Sequence, residues 1–126
     1  MLELINVMSL PLVYNICDGD RNVIELREVW EIDGKASLAV GIIQPGYASF
    51  LHKHEHTFES YYIIEGEGQM TVGSHSFRVV AHQTVVLPPH TPHKLRNIGS
   101  APLIHQVFCV PPFDSTDIIL LEQLST

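Results

Sequence analysis

Between Asn22 and Ile32 the side chains alternate: Ile24, Leu26, Trp30 and Ile32 fall on one parity, and Glu25, Arg27 and Glu31 on the other. A period of two predicts a half-buried strand with the first set facing a core. Asp33-Gly34 turns the chain. Ala36 to Gln44 is apolar and β-branched enough to be the next strand, ended by Pro45-Gly46. Gln69 to Val72 and Ser76 to Val80 flank Gly73-Ser74, a tight hairpin. Thr84 to Leu87 predicts a short strand, and Leu103 to Val110 a longer one stopped by Pro111-Pro112. Ser115 to Leu124 reads equally as a last strand or a short helix. Residues 1–20 are apolar without clean periodicity and are interrupted by Pro11, which suits an arm or an edge strand. Many short strands separated by turn residues predict an all-β sandwich or barrel, with residues 1–20 as the arm and residues 21–126 as the barrel.

The chain length of 126 residues suits one compact domain. Its net charge is -7, without a basic cluster, which argues against nucleic acid or an anionic membrane as partner. No apolar run is long enough to span a bilayer, and the first residues lack the basic start of a signal peptide, so a cytoplasmic location is expected. Cys17 and Cys109 form no CxxC pair, which excludes a cysteine-built structural zinc site and predicts two reduced thiols.

The histidines change the picture. All eight fall between His52 and His105. In the stretch from Gly46 to Gly66, His52 and His54 are two apart and so share a strand face. Glu59 is five beyond His54, so a bend at Glu55-His56-Thr57 must intervene before it can join them. The expected result is two neighbouring antiparallel strands carrying the three side chains. Downstream, Pro88-Pro89-His90-Thr91-Pro92 cannot be a central strand and reads as a rigid turn delivering His93. Three imidazoles and a carboxylate are a mixed N and O ligand set for a divalent transition metal. His56 shares parity with the two histidines but falls in the bend. His90 sits at the expected rim, where it is either an acid or base or an exposed turn residue. Tyr61, two beyond Glu59, faces the same interior, either as a proton donor or as a core aromatic. Parity sets His105 against Gln106, so that one of the two points inward.

Both stretches resemble the two signature motifs of the cupin superfamily, small jelly-roll β-barrels. Gly46, His52, His54, Glu59 and Gly66 fit the first motif, and Pro88, His93 and Asn97 fit the second. His82 and His90 stand where the second motif usually has glycine. The resemblance implies a single-domain cupin barrel in which His52, His54, Glu59 and His93 bind one divalent metal (Fe, Mn, Ni, Zn or Cu). In related lyases a tyrosine near the ligands acts as base, which makes Tyr61 the matching candidate beside His90.

The function that follows is a metal-dependent enzyme acting on a small organic molecule, dioxygenase-like first, with isomerase or lyase chemistry next. The alternative is a non-catalytic module that binds or senses a small molecule or sugar. By alternation Lys53 points away from His52 and His54, and Lys94 away from His93, which weakens a sugar-phosphate reading. The apolar arm and the strand Leu103 to Val110 offer surface for a homodimer.

Overall fold

A computed structural model describes residues 3–122. Met1 and Leu2, and the part of the predicted last element beyond residue 122, lie outside the described residues. Eleven strands are present among the described residues: β1 (Tyr14–Asp18), β2 (Arg21–Ile32), β3 (Ala36–Ile43), β4 (His52–His54), β5 (Phe58–Glu65), β6 (Glu67–Val72), β7 (His75–Val80), β8 (Thr84–Leu87), β9 (His93–Asn97), β10 (Leu103–Val110) and β11 (Ile118–Leu120). They form a six-stranded sheet in the order β1-β2-β3-β10-β5-β8 and a five-stranded sheet in the order β11-β4-β9-β6-β7. Every pairing between these strands is antiparallel. The chain is an all-β jelly roll, as its alternation and turn residues predict. The two sheets enclose a core that includes Ile43, Ile63, Met70, Leu87, Leu95 and Leu103, each at most 1% exposed. Ser115–Asp117 is a single 3-10 turn feeding β11, so the undecided last element is both a turn and a strand.

Three expectations need correction. Ile24 and Leu26 face the interior, but the register slips between Glu28 and Trp30 in a β-bulge. An extra residue reverses which face the following side chains take. Trp30 therefore lies on the outer face, edge-on to Phe108 at 6.4 Å, and Ile32 is 51% exposed. Second, β10 is not a free surface strand. It lies between β3 and β5, with Leu103, His105, Val107 and Cys109 buried, and it shows only its other face outward. Third, β4 and β5 are not neighbours, because they belong to opposite sheets. The bend at Glu55 to Thr57 is the crossing from one sheet to the other, and parity does not carry across such a crossing.

The two histidines in the usual glycine positions hold the left-handed backbone that glycine would take, His82 at φ 72° and His90 at φ 67°. That region costs a non-glycine residue about 1–2 kcal/mol. His82 is offset by a 2.7 Å bond between its Nδ1 and the Tyr62 hydroxyl. His90 has an exposed side chain without a comparable bond. Replacement of His90 by glycine is expected to raise the unfolding free energy by about 0.5–1 kcal/mol, after the added flexibility of the unfolded chain is subtracted. His82→Gly should gain less or lose. Denaturant unfolding of the two variants checks the difference.

Candidate metal centre

Each ligand side chain arrives from a defined element. His52 and His54 stand on one face of β4, and His93 opens β9 directly opposite His52 in the ladder. Glu59 comes from β5, across the barrel. The rings of His52 and His93 are 4.2 Å apart, and one donor atom from each of His52, His54, Glu59 and His93 lies within 4.8 Å of the others. His54, Glu59 and His93 are buried, at 4%, 2% and 1% exposure.

The tautomers follow from the backbone. His52 Nδ1 is 2.7 Å from the Phe50 carbonyl, and His93 Nδ1 is 2.8 Å from the Thr91 carbonyl. A carbonyl only accepts, so each Nδ1 carries the proton and each neutral ring presents a bare Nε2 lone pair. His93 Nε2 is 3.1 Å from Glu59 Oε1, and His54 Nε2 is 2.9 Å from the same oxygen. Glu59 Oε1 and His93 Nε2 are buried without a hydrogen-bond partner. Two acceptors facing each other in a buried site repel, and a cation between them turns the repulsion into coordination. The residues therefore fit a divalent metal. Glu59 Oε2 is held from behind by the buried Cys109 thiol at 3.6 Å.

Burial, the adjacent charge on Glu59 and the hydrogen bond to it push the Cys109 thiol up, so it remains a protonated donor. Burial pushes the Glu59 carboxyl up, but the adjoining His54 and His93 imidazoles outweigh it and bring the group to about 2. Burial and the neighbouring His93 lower His52 to about 4. Burial lowers His105 to about 4 as well, against the pull of Glu59 and a hydrogen bond with the Gly41 backbone. Free histidine titrates near 6.5. Between these values the unfolded chain holds more protons than the folded one, so stability falls as pH drops from about 6.5 to 4. Each of the two histidines contributes a loss of roughly 3 kcal/mol at the acid end of that window. Denaturant midpoints of the metal-free protein at pH 7, 5.5 and 4.5 should decline stepwise; a flat profile contradicts the burial of these rings.

The other sequence candidates separate clearly. Tyr61 is 7% exposed and lines the cavity, its ring 5.6 Å from His93 and 5.1 Å from His105. Burial and Glu59 raise its phenol well above the ordinary value, which leaves it a hydrogen-bond donor. His105, not Gln106, points inward. His90 sits in the surface turn, its backbone N–H donating to the His54 carbonyl at 2.8 Å, and its side chain is not part of the cavity wall. His56 is turned to solvent and its Nδ1 meets Asp117 at 2.9 Å. Lys94 reaches away from the site to Glu122 at 3.1 Å.

Asp117 was not visible as a functional residue. Its carboxylate accepts from the backbone N–H of His56 and of Thr57, at 3.1 and 3.2 Å, and lies 3.7 Å from His54 Nδ1. It clamps the crossing that lets His54 and Glu59 converge. No local signal marks it, because its partners are about sixty positions upstream.

Three of the four cluster residues, His52, His54 and Glu59, line a cavity of about 80 Å³. The remaining wall is mainly apolar and includes Ile24, Leu26, Phe50, Val107, Phe113 and Ile118.

Two antiparallel sheets closed around a three-histidine, one-glutamate cluster define the class, a double-sheet β-barrel with an interior donor set. Residues 39–110 match the cupin domain family, and the chain belongs to it. An uncharacterized protein of Methanocaldococcus jannaschii is 43% identical over 88 residues, which is 70% of each chain. The mannose-1-phosphate guanylyltransferase RfbM of Salmonella typhimurium is 30% identical over 84 residues, 66% of this chain but only 18% of that enzyme. Among solved structures, a predicted oxalate decarboxylase from Thermotoga maritima superposes with a TM-score of 0.76 at 22% identity, covering 86% of this chain and 99% of that one. This last likeness shows the fold alone. No helix among the described residues is long and apolar enough to cross a membrane.

Proposed function

We propose that this chain is a metal-dependent cupin enzyme that converts a small organic molecule, with His52, His54, Glu59 and His93 holding one divalent transition metal. The carrying observation is the convergence of four donor atoms within 4.8 Å, with His52, His54 and Glu59 lining a mainly apolar cavity. A metal bound there supplies a Lewis acid and open positions for oxygen donors. The chain does the rest. Its apolar wall excludes water, which strengthens every polar contact inside. Tyr61, whose ring lies 5.6 Å from that of His93, can donate its hydroxyl proton to a developing negative charge. Dioxygenase-like chemistry ranks first because a histidine and carboxylate set with open positions suits Fe(II). Sugar-phosphate chemistry ranks lower, since no lysine or arginine lines the cavity.

The test is metal content of untagged protein, followed by oxygen uptake of the iron-loaded form against small hydroxylated and carbonyl compounds. Stoichiometric metal with oxygen consumption supports the reading. Ligand binding without turnover under any metal makes the chain a binding module instead, and absence of metal after anaerobic reconstitution removes the enzyme reading.

The homodimer is part of the proposal. Trp30, Leu38, Phe108, Ser60 and Val86 are successive cross-strand partners on the outer face of the six-stranded sheet, one apart from the next strand by strand. Phe58, Ile64 and Val110 extend this mostly apolar row, and Val86 is 56% exposed. A second copy of the same sheet is its natural cover. Sedimentation should give twice the chain mass for the wild type and the monomer mass for Val86→Lys. A monomeric wild type removes the dimer.

A further inference from the structure

One polar element of the cavity is absorbed by neither the metal ligands nor the core. Gly41 lies in the interior of β3, directly opposite His105 on β10. A Cβ at position 41 would stand 2.5 Å from His105 Cε1 and 2.8 Å from its Nε2. Glycine weakens a strand interior, and its presence there marks a close approach. Here the imidazole of residue 105 lies across the space that any other residue at 41 would fill. The ring is 6% exposed, and its Nδ1 is buried without a hydrogen-bond partner. It borders the cavity beside Tyr61, which in turn borders His93. Ligand cluster, phenol and imidazole therefore follow one another along one wall.

We infer that the Gly41–His105 niche is the recognition subsite for a hydroxyl group of the ligand, and that the ligand is a compact molecule that presents a second oxygen to the metal centre and carries no phosphate and no second carboxylate. This rests on the reading of the four-residue cluster as a metal centre. The Gly41 backbone takes one ring nitrogen and leaves Nδ1 unpartnered, and a hydroxyl can meet that nitrogen in either tautomer because it both donates and accepts. The charge limit follows from the wall. Glu25 is its charged residue other than Glu59, and it is paired with Arg27 at 2.8 Å. An anion beyond the reach of the metal would be buried without a counter-charge. The size limit follows from the volume: about 80 Å³ admits on the order of five or six non-hydrogen atoms.

Hydroxyacetone and 2-butanone are matched probes, since they differ in one hydroxyl. They are titrated into cobalt-loaded protein and followed by the visible cobalt spectrum, with cobalt content measured on the same samples. His105→Phe should weaken hydroxyacetone about tenfold, as loss of one buried hydrogen bond does, while 2-butanone stays unchanged. His105→Gln, which keeps a donor and an acceptor, should recover part of the loss. Hydroxyacetone phosphate, whose phosphate would lie beyond the metal, should bind the wild type more weakly than hydroxyacetone. Equal changes for both probes, no change for either, or tighter binding of hydroxyacetone phosphate overturns the inference. Should either variant fold poorly, Gly41→Ala provides the same test by displacing the ring. If the wild type takes up no cobalt, the metal reading has failed separately. Saturation-transfer NMR on the metal-free protein then decides whether His105 still distinguishes the two probes, and equal signals overturn the niche.

Discussion

His93→Ala is expected to weaken metal binding markedly, so that metal is lost on dialysis that the wild type withstands, while the barrel stays folded. His93 is the one cluster member contributed by β9, and its Nε2 lies 3.1 Å from Glu59 Oε1. Without it the carboxylate and the β4 imidazoles are left as a three-donor set, one donor short of the wild-type cluster. The readout does not depend on turnover. A metal that binds only the folded chain at about a hundred times its dissociation constant adds about 2.7 kcal/mol to stability. The wild type should therefore gain that increment on metal addition, and His93→Ala should gain clearly less at the same metal concentration. His56→Ala is the matched control. It removes a histidine of the same parity that points to solvent, and its metal content should not change. Equal metal uptake by all three proteins, measured by elemental analysis, would sink the assignment.

Asn97→Ala is expected to be the most destabilising small change in the second motif. Asn97 is 1% exposed. Its Nδ2 donates to the Ile43 and Ala101 carbonyls, each at 2.8 Å, and its Oδ1 accepts from the Gly99 N–H at 2.8 Å. One side chain thus joins the end of β3 to the turn leading into β10. Alanine keeps none of these bonds and strands three backbone groups in or near the core. At about 1–3 kcal/mol for an unmet buried group, partly relieved by water at the turn, the loss should be about 3–4 kcal/mol. A melting temperature lowered by roughly 10 °C is the corresponding signal. Asn97→Asp should fall nearly as far, since it keeps the acceptor but loses both donations. A loss below about 0.5 kcal/mol, the scale of a surface change, contradicts the role.

The convergence of His52, His54, Glu59 and His93 was legible because its information is local: fixed spacings within 46–66 and 88–97 bring these side chains to the first residues of their strands. Strand existence was equally legible, since alternation is a property of neighbouring residues. What failed was inference across interruptions. Trp30 shares its parity with Leu26, but one bulged residue between them turns it outward. His54 and Glu59 read as neighbours, but the bend between them passes from one sheet to the other. Asp117 secures that bend through contacts with His56 and Thr57, a relation that only the closed barrel creates. His105 remained balanced against Gln106 until the register placed it over Gly41. The histidines at 82 and 90 show the converse. The residue departs from glycine while the backbone angle does not.

The division of the cluster between sheets has a wider consequence. Three nitrogen donors ride on the five-stranded sheet and the carboxylate rides on the six-stranded one. A metal held there would be gripped from both sheets, whose spacing is set by buried core side chains such as Met70 and Ile63. A core substitution that spreads or closes the sheets would then alter which metal the donors suit. On that reading, the choice of metal is tied to the packing of the core.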